Sequence, residues 1–264
     1  MTLHRLRRFA VTGLATLLLA GCASGPALDT RYTAKSQDSR VLYLILHYTT
    51  IDTPTSIKVL TTEEVSSHYL LSDGPRPVIY RLVDESRRAW HAGPSEWKGH
   101  TALNASSIGI EIVNLGFKDT PQGRVWDEYT PAQIEVLMPL IRDIVKRHAI
   151  RPDRILGHSD VQPQWKQDPG PKFPWQRLAD EGLILWPDAA KVAAGEARFA
   201  QALPDIAWFQ ARLARHGFKV PQSGVLDEET RTVIGAFQMK YRPEAIDGTP
   251  DARTAALLAA LTGE

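Results

Sequence analysis

The sequence predicts an α/β fold: a mixed β-sheet flanked by helices, followed by a small all-α unit of three helices at the C-terminus. Three observations carry that prediction. Val41 to Leu46 is an unbroken apolar run, the pattern of a strand buried on both faces. Residues 108–113, Ile-Gly-Ile-Glu-Ile-Val, alternate, with Ile108, Ile110 and Ile112 on one face and Gly109 and Glu111 on the other. Ile134, Leu137, Met138, Ile141, Ile144 and Val145 follow the 3.6-residue period of a helix laid on a sheet.

With 264 residues the chain has room for two domains and a substantial core. It opens with His4, Arg5, Arg7 and Arg8 ahead of the apolar run Phe9 to Ala20, too short to span a bilayer and suited to a signal peptide, so residues 1–21 are set aside. Leu19-Ala20-Gly21-Cys22 has the form of a bacterial lipobox, which predicts a membrane anchor through a lipidated Cys22. Plain secretion with an incidental cysteine is the alternative. Ala23 at the next position favours the outer membrane, facing the periplasm. Residues 22–39 are polar and aperiodic and read as a tether.

The first folded domain is expected over 40–187. After the strand at 41–46 come a short helix over 55–62, strands at 68–72 and 78–83 separated by the Asp73-Gly74 turn, and the alternating strand at 108–113. Thr130-Pro131-Ala132-Gln133 is a capping box with proline at the first helical position, and Pro139 predicts a kink in the helix that follows. His148 near its end suits a cap or dipole partner. Ile155-Leu156 is a short strand delivering Gly157-His158. Alanine-rich 188–203 reads as a partly helical linker. Residues 204–264 repeat a helix, a Gly-containing turn and an aspartate ahead of the next helix; without a histidine-carboxylate cluster, this half binds rather than catalyses.

Composition narrows the function. The net charge of +1 and the lack of a basic cluster interleaved with aromatics give no sign of nucleic acid. The single cysteine excludes an internal disulfide and a thiolate zinc site, so a metal must use imidazole and carboxylate. Candidate groups gather in the Pro/Gly-rich stretch 155–175, which holds His158, Lys166 and Asp168. Together with His47 at the end of the first strand, His158 and Asp168 make three ligands for one zinc ion per chain, with Glu111 as the base beside it. Two neutral imidazoles and one carboxylate leave a net charge of +1, which suits polarising an amide carbonyl. Asp168-Pro169 restricts the aspartate to extended conformations. Lys166 lies two residues before it, placed to stabilise an oxyanion. Tyr48 and His91 are the weaker candidates for substrate contact. The competing readings are a structural His47, a Glu111 paired with arginine, a solvated Lys166 and a solvated His91, because spacing alone does not single out a metal motif.

At these residues the chain resembles the zinc-dependent N-acetylmuramoyl-L-alanine amidases of the amidase-2 type, the family that includes phage T7-type lysozymes and the peptidoglycan recognition proteins. The resemblance spans roughly 40–187 and rests on five segments in order: Leu46-His47-Tyr48-Thr49, Trp90-His91-Ala92-Gly93, residues 108–114, Gly157-His158-Ser159-Asp160 and Lys166-Gln167-Asp168-Pro169-Gly170. It implies His47, His158 and Asp168 as ligands, Glu111 as the catalytic carboxylate and Lys166 as the oxyanion stabiliser. Through Phe209-Gln210, Gly217-Phe218, Gly224 to Asp227, Thr230, Phe237-Gln238, Asp247-Gly248 and Thr254, residues 204–264 are similar to peptidoglycan-binding domain 1. The implied activity is hydrolysis of the amide between N-acetylmuramic acid and L-alanine in peptidoglycan, in cell-wall turnover, by a presumed monomer. The rivals are a non-catalytic peptidoglycan-binding lipoprotein and a cytosolic recycling amidase, which the export signal disfavours.

Overall fold

A computed structural model describes residue 26 and residues 28–263. The expected signal segment 1–21 and Cys22 lie outside them. Among the described residues, those up to 37 and those from 38 on form separate units. In the first, residues 28–37 contain no helix or strand.

In the second unit the chain runs β1 (Tyr43–Tyr48), α1 (Thr53–Thr62), β2 (Tyr69–Leu71), β3 (Ile79–Arg81), β4 (Glu96–Trp97), β5 (His100–Thr101), β6 (Ser107–Ile112), β7 (Phe117–Thr120), β8 (Gly123–Trp126) and α2 (Pro131–His148). There follow β9 (Ile155–Gly157), α3 (His158–Val161), α4 (Trp175–Asp180), α5 (Ala189–Gln201), α6 (Ile206–His216), α7 (Glu228–Tyr241) and α8 (Ala252–Thr262). Five strands form one mixed sheet in the order β3-β2-β6-β1-β9, with β1 parallel to both β6 and β9. A strand with parallel neighbours on both sides has no exposed face, and residues 43–46 are accordingly buried throughout.

One face of the sheet carries Leu44, Leu46, Ile108, Ile110 and Ile112 against Leu137, Met138 and Ile141 of α2. The predicted capping box forms: Gln133 N donates to Thr130 Oγ1 at 3.2 Å, and Thr130 N donates to Gln133 Oε1 at 3.1 Å. Pro139 sits on the exposed side, and α2 runs on through it as one helix. His148 closes α2 against the carboxylate of Glu85, its Nε2 2.8 Å from Oε2.

The opposite face joins the two halves of the chain. Tyr43, Ile45 and Leu156 of the sheet pack in one apolar cluster with Phe209, Leu213, Phe237 and Leu258 of the C-terminal helices. The segment 188–203, expected as a partly helical linker, holds α5, which buries Val192, Gly195 and Phe199 and crosses α8 so closely that a Cβ on Gly195 would lie 3.1 Å from Ala256 Cβ. Trp97 of β4 is buried against Gly217, where an added Cβ would come within 2.4 Å of the indole. The C-terminal helices therefore pack as a layer against the sheet.

Inside that layer one device occurs twice. Gln210 donates to Thr230 Oγ1 at 2.9 Å and accepts from Gly224 N at 2.7 Å; Gln238 donates to Thr254 Oγ1 at 3.1 Å and accepts from Gly248 N at 2.8 Å. Each buried glutamine pins a turn to the following helix, whose N-cap aspartate, Asp227 or Asp251, takes the N3 amide. His216 is enclosed by Trp97, Phe218, Phe237 and Tyr241. Burial first, then the charges of Lys240 and Lys98, lower its pKa from 6.5 to about 3. The unfolded chain binds that proton below pH 6.5 and the folded chain does not, so stability is full above this window and is lost as pH falls through it. The slope is up to about 1.4 kcal/mol per pH unit. His216→Gln is expected to flatten the fall in urea-unfolding free energy between pH 6 and pH 4 by that order; parallel profiles would show that His216 is protonated in the folded chain.

Candidate active site

Parallel register sets the site. His47 pairs with Glu111 across β1 and β6, so an imidazole and a carboxylate stand side by side on one face, about 4.8 Å apart along the sheet. On the other side, Leu46 pairs with Gly157, so β9 ends one step short of His47 and α3 begins with His158. The loop from 162 to 170 returns Asp168 to the same point. It is locked by Ser159 N donating to Asp168 O at 2.9 Å, and a Cβ on Gly157 would lie only 2.7 Å from Pro169 Cδ. The Asp168-Pro169 peptide bond is cis.

The sequence-predicted ligands meet. His47 Nδ1 lies 3.0 Å from His158 Nδ1 and 2.9 Å from Asp168 Oδ2, and His158 Nδ1 lies 3.1 Å from the same oxygen. All three residues are buried, His47 to 1% exposure. Outer partners decide the protonation. Gln162 Oε1 accepts from His158 Nε2 at 3.1 Å, and His47 Nε2 lies 3.0 Å from His91 Nδ1. With the ring protons on those outer nitrogens, three lone pairs face one another about 3 Å apart. A triangle in that tautomer could hold a metal ion, and its sides approach the roughly 3.3 Å between corners of a tetrahedron with bonds of about 2.0–2.1 Å. Burial, reinforced by His158, lowers the His47 pKa to about 4, so its imidazole is neutral and able to donate its lone pair.

Glu111 and Lys166 line the same cleft of about 520 Å³. Oε2 of Glu111 is sealed from solvent and has no hydrogen-bond partner among the described residues, so no arginine pairs with it. Burial, reinforced by the Asp168 charge, pushes its pKa well above the usual carboxylate range, while Lys166 pulls it down. A cation at the three donors would lower it further toward the range of a base at neutral pH. Lys166 is exposed and makes no ion pair among the described residues.

Tyr48 lines the cleft. His91 lines the same cleft, with its Nδ1 3.0 Å from His47 Nε2 and its Nε2 3.1 Å from Ser107 Oγ, so both ring nitrogens already have partners. It reads as the group that orients His47. Gly109 explains how it fits, since a Cβ there would meet the His91 ring at 2.5 Å. Asn104 Oδ1 fixes the loop by accepting from the amides of His91 and Ala92 at 3.0 and 2.7 Å. Sequence reasoning missed Gln162 and Trp165. Gln162 stands four residues beyond His158, the spacing of neighbours on a helix. Trp165, 79% exposed on the rim of the cleft, was readable as an unburied aromatic between two ligands.

With this geometry in view, the comparisons with known proteins are decisive. The N-acetylmuramoyl-L-alanine amidase family matches residues 37–171, and a putative peptidoglycan-binding domain family matches residues 203–258. N-acetylmuramoyl-L-alanine amidase AmiD of Escherichia coli (strain K12) is 43% identical over 270 residues, covering 97% of this chain and 98% of that protein. The chain belongs to the N-acetylmuramoyl-L-alanine amidase family. The amidase also superposes on the solved complex of the E. coli protein with anhydro-N-acetylmuramic acid-L-Ala-D-gamma-Glu-L-Lys, with a TM-score of 0.80 and 41% identity over 89% of this chain and 93% of that one. AMPDH3 from Pseudomonas aeruginosa, solved with an anhydromuramic pentapeptide, matches with a TM-score of 0.82 and 36% identity over 90% and 97% of the two chains. The mixed sheet with flanking helices and the helical C-terminal region are those of this amidase fold.

Proposed function

We propose that this amidase is zinc-dependent and cuts the amide between N-acetylmuramic acid and L-alanine in peptidoglycan and in the muropeptides released from it. The observation that carries the reading is the convergence of His47 Nδ1, His158 Nδ1 and Asp168 Oδ2 beside the unpartnered oxygen of Glu111. Zinc held by those donors supplies Lewis acidity, lowering the pKa of water and polarising a carbonyl. Glu111 accepts a proton from the attacking water and returns it to the departing alanine nitrogen as the C–N bond breaks. The Lys166 ammonium faces the oxyanion that develops on the carbonyl oxygen. His91 and Gln162 keep both ligand imidazoles in the tautomer that offers Nδ1. The products are a muramic carboxylate and a stem peptide with a free amine.

The same reading assigns 40–187 to catalysis and 204–264 to wall binding, with residues 1–21 as signal peptide and 22–39 as a tether anchored in the outer membrane through lipidated Cys22, facing the periplasm. The relatives solved with anhydro-muropeptides support a muropeptide in the cleft. The decisive assay is release of stem peptide from purified sacculi, followed by mass spectrometry with and without a chelator. Peptides with free N-terminal alanine are expected, lost on chelation and restored by zinc. Binding to sacculi without release would make the protein a wall-adhesion factor instead.

A further inference from the structure

The C-terminal half reaches the metal-ligand segment through a single buried charge. Lys240 of α7 is 6% exposed, and its ammonium donates to Asp160 Oδ2 at 2.8 Å and to Ile155 O at 3.3 Å, with the Trp175 ring 4.1 Å away. Asp160 lies in α3, two residues beyond His158, and its Oδ2 also accepts from Gly157 N at 2.8 Å. One carboxylate oxygen therefore joins the amide immediately before His158 to a cation delivered from the other half of the chain. Four-residue α3 cannot hold its own orientation by helical hydrogen bonds.

We propose that Lys240 is a positioning residue for the metal ligand His158: through Asp160 it fixes the start of α3, so that the peptidoglycan-binding half completes the metal site. The inference rests on the metal reading above and goes beyond it by giving the C-terminal helices a part in assembling the site. Tyr43, Ile45, Leu156 and Val161 against Phe209, Leu213 and Phe237 form an apolar contact that already joins the two halves, with Gln164 Nε2 donating to Glu229 O and Lys98 N to Gly217 O at its edge. Joining alone would be served by an apolar side chain, because replacing a buried ion pair with apolar groups is commonly neutral or stabilising. A lysine aimed at the residue that caps α3 has a use only if that cap must be held in one place.

The test uses the full chain and the double variant Lys240→Met with Asp160→Asn, which removes both buried charges together while asparagine still accepts from the Gly157 amide. Zinc affinity is measured by competition with a chromophoric chelator, ligand geometry by the absorption bands of Co²⁺ loaded in place of zinc, and stability by thermal unfolding. The expected result is a melting point near that of the parent, zinc bound about tenfold or more weakly, and altered Co²⁺ bands, in line with the usual loss when an outer partner of a ligand is removed. Lys240→Arg, which keeps the charge, should restore part of the affinity. Parental affinity and an unchanged Co²⁺ spectrum in the double variant would overturn the proposal, as would a double variant that does not fold, since the pair would then serve the fold and not the ligand. A parent chain that takes up no zinc, titrated alongside, would instead sink the metal reading and this proposal with it.

Discussion

Glu111→Ala should retain metal and lower amide hydrolysis by about 10²–10⁴-fold, the range supplied by a positioned acid–base group. The residue is not a ligand: the three donors close their triangle without it. Its place beside His47 comes from strand register, not from a loop, so the variant leaves the sheet intact. An unpartnered carboxylate oxygen costs about 1–3 kcal/mol or more when buried, so its removal should, if anything, raise the melting temperature. Glu111→Gln separates charge from shape, because the amide fills the same space and cannot take a proton. Both variants are to be compared with the parent for bound zinc and for turnover of a soluble muropeptide. Near-parental turnover in either would take Glu111 out of the mechanism.

Asp168→Ala should cost the metal itself. The carboxylate is the one anionic member of the triangle, and without it the site holds a divalent ion with two neutral imidazoles and no compensating charge. The expected loss of zinc affinity exceeds the roughly 10–100-fold typical of outer partners, with hydrolysis falling in parallel at low zinc and recovering in part at high zinc. Dialysis against a weak chelator followed by metal analysis gives the answer. A variant that keeps one zinc per chain through that treatment would show that the ion is held elsewhere.

Much of this site was legible because its parts are short and locally constrained. The unbroken apolar run before His47, the isoleucine alternation that isolates Glu111 and the capping box of α2 each depend on residues within a few positions of one another, and local physics fixes them. The meeting of His47 with Asp168 does not; it needs the parallel pairing of β1 with β6 and β9, and the resemblance to a known family supplied what spacing could not. What stayed hidden was relational. The β7–β8 hairpin is only four residues a side and mostly exposed, so it has no strong apolar pattern. The role of His91 became visible only once Gly109 was seen to make room for its ring. Helix α5 was readable in hindsight: Val192, Gly195 and Phe199 are spaced i, i+3 and i+7, but an alanine-rich segment between two prolines suggested a spacer.

The apolar layer common to the sheet and helices α5 to α8 bears on how the protein could be remodelled. In a modular enzyme the wall-targeting part can be exchanged by cutting a connector. Here no such cut exists downstream of the sheet, because trimming at 188 would strip Tyr43, Ile45 and Leu156 of their cover and expose a hydrophobic face to water. Retargeting this catalyst calls for repainting the outer surface of its C-terminal helices while keeping their inner surface, and the halves should melt in one cooperative step.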